Sequence, residues 1–270
     1  MKGVSCMAST DTYFTNAFEG KQVLVTGASK GIGLSVAKGF ARAGASLAIL
    51  AKSNAIHSAA KEIGLDCRAP DHVFQCDISD SQAVAEAVGS LDHIDVLANV
   101  AGYQPKTPVL DPDPMVDESF RRTMDINVNG TWYVTREALK KMGRGGKIIF
   151  TSSIWGKTAV AEFAGYVASK HATMGMMRSL AVELGPKGIN VNAVCPGWVN
   201  TEGAMWTVRI EAEAVGVPVD EYVESITSHQ PIPGIMEPAA MNAMYLFLAS
   251  DMANDITGQA YNVDRGSYLG

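Results

Sequence analysis

The chain has 270 residues, 47% of them apolar and 19% charged, with a formal net charge of −6. That balance belongs to a globular protein with a large core, and the length fits one α/β domain. The acidic excess argues against nucleic acid or an anionic membrane as partner, while leaving room for a local basic pocket that holds phosphate.

Residues 1–19 read as a polar N-terminal extension without the apolar stretch of a signal peptide. No apolar run approaches the roughly 18 residues of a membrane span. The four cysteines (Cys6, Cys67, Cys76 and Cys195) form no CxxC pair or Cys/His cluster, so they read as reduced thiols and supply no metal site. The expectation is a soluble, cytoplasmic protein.

From Lys21 onward, strand and helix patterns alternate. Gln22–Thr26 is a short apolar strand followed by a helix over Ile32–Ala43; Ser46–Leu50 is a strand and Ala55–Ile63 a helix. Val73–Gln75, helix Ser79–Val88, strand His93–Ala98 and a long helix Met115–Met142 come next. Strand Lys147–Thr151, helix Phe163–Leu184 and strand Asn190–Val194 precede a polar and aromatic insertion, a lid at about 201–233; helix Pro238–Ala249 and strand Ala260–Val263 finish the chain. Near-continuous apolar strands alternating with helices predict a doubly wound parallel sheet of about seven strands with helices on both faces. No repeat or linker divides residues 20–270, which read as one domain.

The first chemical segment is Thr26-Gly-Ala-Ser-Lys-Gly-Ile-Gly33, directly between the first strand and the first helix. Gly27 permits a tight turn, Gly31 a close approach of backbone to ligand, and Gly33 close packing of helix on strand. The N–H groups at the start of that helix form a site for a pyrophosphate. The second segment is Tyr166-Val-Ala-Ser-Lys170, preceded by Ser153 at the end of a strand. Four residues are about one helical turn, so phenol and ammonium share a face. A cation held close is expected to lower the phenol's pKa toward the working range of an acid-base catalyst.

Together these motifs make the chain resemble the short-chain dehydrogenase/reductase family, from about Gly20 to the C-terminus, and imply its Rossmann-type fold. The glycine segment has that family's TGxxxGxG spacing, and Asn99-Val-Ala-Gly102 stands where NNAG is usual. The resemblance implies a nicotinamide dinucleotide held by Gly27, Ser29, Lys30, Gly31, Ile32 and Gly33, by Asp77 and Ile78 near the adenine, and by Asn99, Ala101 and Gly102. Pro196, Gly197, Val199 and Thr201 match the motif that holds the nicotinamide amide. It further implies that Tyr166 exchanges a proton with a carbonyl or alcohol oxygen. Lys170 would tune Tyr166 and bind the ribose, Ser153 would hydrogen-bond the substrate oxygen, and Asn127 would hold a water linking Lys170 to solvent. Two departures stand out: Val100 replaces the second asparagine of NNAG, and Asp264-Arg265-Gly266 replaces DGG.

Residues after the strand ends line the crevice in such sheets. They place Gln104, Ile154, Trp155, Trp198, Met205 and Trp206 in the substrate pocket, which suits a neutral, partly apolar ketone or secondary alcohol. Arg209 is the one lid cation that could meet a substrate carboxylate. Ser152, His171, Glu183, Asp125, the Arg121-Arg122 face and Trp132 read as structural or solvated groups. The alternatives to a net oxidoreductase are a non-catalytic dinucleotide-binding regulator and an isomerase or dehydratase with a transient hydride step.

Two further expectations concern cofactor and assembly. An acidic residue at the end of the second strand favours NAD, whereas basic groups accommodate the 2′-phosphate of NADP. Here that strand is followed by Ala51-Lys52-Ser53, and Lys30 adds a second cation. The reading is NADP(H) preferred, with NAD(H) as the alternative. Helix Phe163–Leu184 is apolar around most of its circumference, and family members pair this helix across two-fold axes, so a homotetramer is expected, with a dimer as runner-up.

Overall fold

Strands β1 (Gln22–Thr26), β2 (Ser46–Ala51), β3 (His72–Gln75), β4 (Val96–Asn99), β5 (Lys147–Thr151), β6 (Asn190–Pro196) and β7 (Ala260–Val263) form one sheet in the order β3-β2-β1-β4-β5-β6-β7. Every pairing is parallel. The computed structural model describes residues 14–270; residues 1–13 of the extension lie outside them. The chain order reverses between β1 and β4, so the crevice of a doubly wound sheet opens there, at the carboxyl ends of the strands.

Helices cover both faces, which is why the central strands carry few polar residues. Val23 and Val25 of β1 pack on one side with Phe40, Ile56 and Tyr245. Leu24 between them packs on the other side, with Val134, Met177 and Leu180. The helices are α1 (Gly31–Arg42), α2 (Ala55–Asp66), α3 (Ser81–Gly89), α4 (Met115–Met124), α5 (Thr131–Leu139), α6 (Ala164–Leu184), α7 (Glu202–Val215), α8 (Val219–Thr227) and α9 (Asn242–Ala249). Among the described residues, no helix is long and apolar enough to cross a membrane.

Three expectations change. The long helix read at Met115–Met142 is α4 and α5 joined by a π-helical turn, Asp125–Gly130. The end of the polar extension belongs to the core: Phe18 is 1% exposed and meets the Phe40 ring edge-on at 5.1 Å. Average polarity over residues 1–19 hid those two anchoring rings, Phe14 and Phe18. The insertion folds as a helical pair. Thr201 caps α7 by accepting from the Ala204 N–H (3.3 Å), left-handed Gly216 ends it, and Pro218 precedes α8.

Candidate active site

The glycine segment shows the steric need for its glycines. A Cβ on Gly33 would stand 2.2 Å from the Gly27 carbonyl oxygen, and one on Gly27 would stand 2.7 Å from Ala101 Cα. Gly27 and Gly31 also have positive φ, +69° and +56°. Thr26 fixes the neighbouring strand end, its hydroxyl accepting from the N–H groups of Val100 (3.0 Å) and Ala101 (3.1 Å). The Val100 substitution therefore leaves backbone pinning intact. This cradle, narrow and lined with backbone, fits a pyrophosphate at the start of α1.

Around Asp77 the structure alters the reading of several residues. Asp77 accepts from Ser79 through one oxygen (N–H 3.1 Å, hydroxyl 2.8 Å), and its other oxygen lies 2.6 Å from Arg122 and 3.1 Å from Lys52. Burial works to raise the Asp77 carboxyl, but these donors hold it well below the usual carboxylate range. Arg122, read as part of a solvated face, is thus a half-buried partner that also donates to the Ser79 hydroxyl at 2.8 Å. Ile78 is buried, and a Cβ on Gly130 of the π turn would stand 2.7 Å from it, so only its backbone is left to face a ligand. The Ser53 hydroxyl accepts from the Ala55 N–H at the start of α2 (3.2 Å). Lys30 is not free either: its ammonium lies 2.6 Å from Glu202, the first residue of α7. Ser29 and Ile32 are half-buried beside it.

At the centre, Ser153, Tyr166 and Lys170 come together between the end of β5 and α6. Lys170 is buried and donates to the Thr151 carbonyl at 2.8 Å, its ammonium 5.4 Å from the Tyr166 ring centroid. Burial lowers its pKa to about 8. Burial pushes the Tyr166 phenol up to about 12, against a hydrogen bond with Ser153 that pulls it down. The depression of the phenol by Lys170 that the spacing suggests is not among the influences acting on it in the protein; desolvation is the largest of them. The phenol stays protonated near neutrality. Ser153 also accepts from the Trp155 N–H at 3.1 Å, which fixes its rotamer, while Ser152 donates to the Lys170 carbonyl at 3.1 Å, a structural bond.

Asn127 lies in the π turn, a distortion that often marks functional sites. Its side chain accepts from the Tyr103 N–H (2.7 Å) and donates to the Tyr103 carbonyl (2.9 Å) and Ser169 hydroxyl (2.9 Å). Ser169 in turn donates to the Tyr166 carbonyl at 2.7 Å. A Cβ on Gly102 would stand 3.5 Å from Asn127 Oδ1 and 3.6 Å from Lys170 Nζ, so amide and ammonium flank the same small space. Buried Asn99 donates to the Thr135 hydroxyl at 3.0 Å and is a brace between β4 and α5.

Trp155 and Trp198 form an aromatic wall, their ring centroids 5.8 Å apart and perpendicular; Trp155 also meets Tyr166 edge-on at 6.0 Å. Phe163, missed in the sequence, completes it at 5.3 Å from Trp155. Ile154 is buried, Gln104 and Met205 are half-buried, and Trp206 is 62% exposed on α7, apart from this ring cluster. Pro196 ends β6, and Gly197 packs so tightly on Asp264 that a Cβ would stand 2.8 Å from that residue's side chain. Val199 is buried and bridges to Met236, and the Thr201 methyl lies 3.2 Å from where a Gly31 Cβ would be. Arg265 takes φ +56° and donates to the Pro233 carbonyl, tying the C-terminal turn to the end of the insertion. His171 is exposed and bonds the Val167 carbonyl, and Asp125 accepts from Asn129. Trp132, read as packing, is 38% exposed with Arg136 over its ring.

The family described as enoyl-(acyl carrier protein) reductase matches residues 27–268, from the first loop glycine almost to the C-terminus. The chain belongs to the short-chain dehydrogenase/reductase family. D-beta-hydroxybutyrate dehydrogenase of Cupriavidus necator is 32% identical over 92% of this chain and 97% of its own length. (−)-trans-Carveol dehydrogenase of Rhodococcus erythropolis is 34% identical over 93% and 98%. Among solved structures, a variant of the actinorhodin polyketide ketoreductase with NADPH superposes with a TM-score of 0.84 at 30% identity, covering 94% of this chain and 99% of that one. A 3-oxoacyl-[acyl-carrier protein] reductase from Brucella melitensis with bound NAD gives 0.82 at 29%, covering 100% and 99%. This member of the short-chain dehydrogenases/reductases is accordingly a nicotinamide-dependent oxidoreductase.

Proposed function

We propose that the chain interconverts a neutral, partly apolar ketone and its secondary alcohol, with NADP(H) preferred over NAD(H). The observation that carries the chemistry is the meeting of Ser153, Tyr166 and buried Lys170 at the end of β5, with the Lys170 ammonium 5.4 Å from the Tyr166 ring centroid and bonded to the Thr151 carbonyl. When bound, the dinucleotide supplies the hydride. Tyr166 donates its proton to the carbonyl oxygen, Ser153 hydrogen-bonds that oxygen as charge develops, and Lys170 stabilises the phenolate left behind. Asn127 braces the Tyr166 backbone through Ser169, and the second lone pair of its Oδ1, beside the space it shares with the Lys170 ammonium, would hold the water that links Lys170 to solvent. Trp155 and Trp198, backed by buried Phe163, offer area and stacking, which favours an apolar substrate over a small anion. Among the relatives, that is nearer to the substrate named for the carveol enzyme than to a hydroxy acid.

The cofactor preference is supported by Ala51 at the end of β2, where no carboxylate is available for ribose hydroxyls. A 2′-phosphate would compete with Asp77 for Lys52 and with Glu202 for Lys30. Asp77 keeps Arg122 when Lys52 leaves, and Glu202 is exposed enough to be rehydrated, so both lysines are released at little cost. In assembly, we favour a homotetramer: Val182 on α6 is 80% exposed, on a helix with nine of its 21 residues buried.

The test is a panel of ketones and alcohols followed at the nicotinamide absorbance, with Tyr166→Phe alongside. The variant should keep its fold and cofactor affinity and lose about 10²–10⁴-fold in kcat. Half of the wild-type rate in that variant would remove Tyr166 from the mechanism.

A further inference from the structure

The insertion is fastened to the loops beside Tyr166 by one lysine. Lys106, in the loop after β4, places its ammonium 2.8 Å from Glu162 and 2.7 Å from Glu211. Glu162 belongs to the loop between β5 and α6, and Glu211 to α7. Glu211 also accepts from the Tyr222 hydroxyl on α8 at 3.0 Å. A single ammonium thereby joins two loops of the site to both helices of the insertion. The loops are held to one another by backbone as well, Thr107 donating to the Glu162 carbonyl at 2.6 Å. The Lys106 and Glu211 side chains are only 34% and 20% exposed, so salt screens them less than a surface pair.

The cluster touches the aromatic wall. The Lys106 ammonium lies 5.9 Å from the Phe163 ring centroid, and Phe163 leads through Trp155 to Tyr166. Glu162 precedes Phe163 directly and has φ +64°, a left-handed conformation that is uncommon outside glycine and needs its surroundings to hold it. The other end of α7, Glu202, is nine residues away, about 13 Å along the helix. Fastening of the substrate wall is therefore separate from the cofactor end.

We propose that Lys106, with Glu162, Glu211 and Tyr222, is a latch that positions the Phe163–Trp155 wall and so sets discrimination between bulky and small carbonyl substrates; this rests on the function proposed above. Loosening the latch lets the wall and α7 move apart, which weakens binding of substrates that fill the wall and leaves proton transfer at Tyr166 unchanged.

The experiment compares Lys106→Met, Lys106→Arg and the full-length wild type with NADPH and two ketones, one aryl and one small aliphatic. For Lys106→Met the aryl ketone's KM should rise about fivefold or more, with kcat, the small ketone's KM and the NADPH Kd each within about twofold. Lys106→Arg, which keeps the charge and both carboxylate partners, should restore the aryl KM. Tryptic cleavage at Arg209 in α7 should be faster in Lys106→Met and normal in Lys106→Arg. If Lys106→Met does not fold, Tyr222→Phe should shift the aryl-to-small KM ratio in the same direction by about twofold. Equal loss for both ketones, or loss confined to kcat or NADPH affinity, overturns the latch. If the wild type reduces neither ketone, the proposed function fails, and unchanged cleavage at Arg209 would then overturn the latch independently.

Discussion

Lys170 gives the enzyme an alkaline limit that can be measured. Its ammonium is buried with one hydrogen bond among the described residues, to the Thr151 carbonyl, and burial brings its pKa from 10.5 to about 8. That displacement corresponds to about 3 kcal/mol against the charged form. Tyr166, pushed up to about 12, stays protonated throughout the working range, so the acid itself is not what titrates. Above pH 8 Lys170 becomes neutral and no longer stabilises the phenolate formed when Tyr166 gives up its proton. In the reductive direction, kcat/KM for the reduced cofactor reports the free enzyme. It should be flat from about pH 6 to 7.5 and then fall about tenfold per unit above about pH 8. Lys170→Arg keeps its charge at any of these pH values, so its profile should lose the limb whatever its absolute rate. A wild-type profile flat to pH 9.5, or the same limb in Lys170→Arg, refutes the reasoning. Stability follows by linkage. Between pH 8 and 10.5 the unfolded chain binds more protons at Lys170 than the folded one, so stability from this group rises with pH in that window. Tyr166 acts oppositely above pH 10, where the folded state retains a proton that the unfolded state has lost. Urea melts at pH 7.5 and 9.5 should show the rise in wild type and its loss in Lys170→Met.

Other outcomes follow from single side chains. Ala51→Asp puts a carboxylate at the end of β2, and the ratio of kcat/KM for NADPH over NADH should fall by about tenfold or more, on the order of 1.4 kcal/mol; an unchanged ratio would remove that strand end from the cofactor site. Gly33→Ala forces a methyl to 2.2 Å from the Gly27 carbonyl oxygen. It should cost about 1–3 kcal/mol in a urea melt and abolish measurable cofactor binding by fluorescence titration, and normal binding would contradict the cradle. Light scattering at micromolar concentration should give a tetramer, and a monomer would contradict the reading of the exposed α6 face.

The parts of this site that were legible in the sequence are those carried by short spacing. Tyr166 and Lys170 share a helical face, and the three loop glycines sit on one turn, so periodicity alone brings them together. The pairing of Asp77 with Arg122 spans 45 residues and that of Lys30 with Glu202 spans 172, distances over which no pattern exists to read. Arg121 and Arg122 look alike in sequence, yet one meets exposed Glu118 while the other enters the site. Only the orientation of α4 separates them. Phe163 escaped notice because an aromatic before a helix usually reads as packing. The phenol's raised pKa is hidden for a related reason: neighbouring charge is visible in a sequence, but burial is not, and here burial prevails.

The π turn between α4 and α5 has a consequence for how this segment tolerates insertion and deletion. A π turn is an α-helix carrying one surplus residue. Removing a residue from Asp125–Gly130 would let the segment anneal into ordinary helix, and because the turn already absorbs the surplus residue, α4 and α5 would keep about the phase they have now. Thr135 on α5 would then keep its bond with Asn99, while Asn127, inside the shortened turn, would lose the placement that gives it its bonds to Tyr103 and Ser169. A single-residue deletion here should therefore leave the fold standing and damage the site.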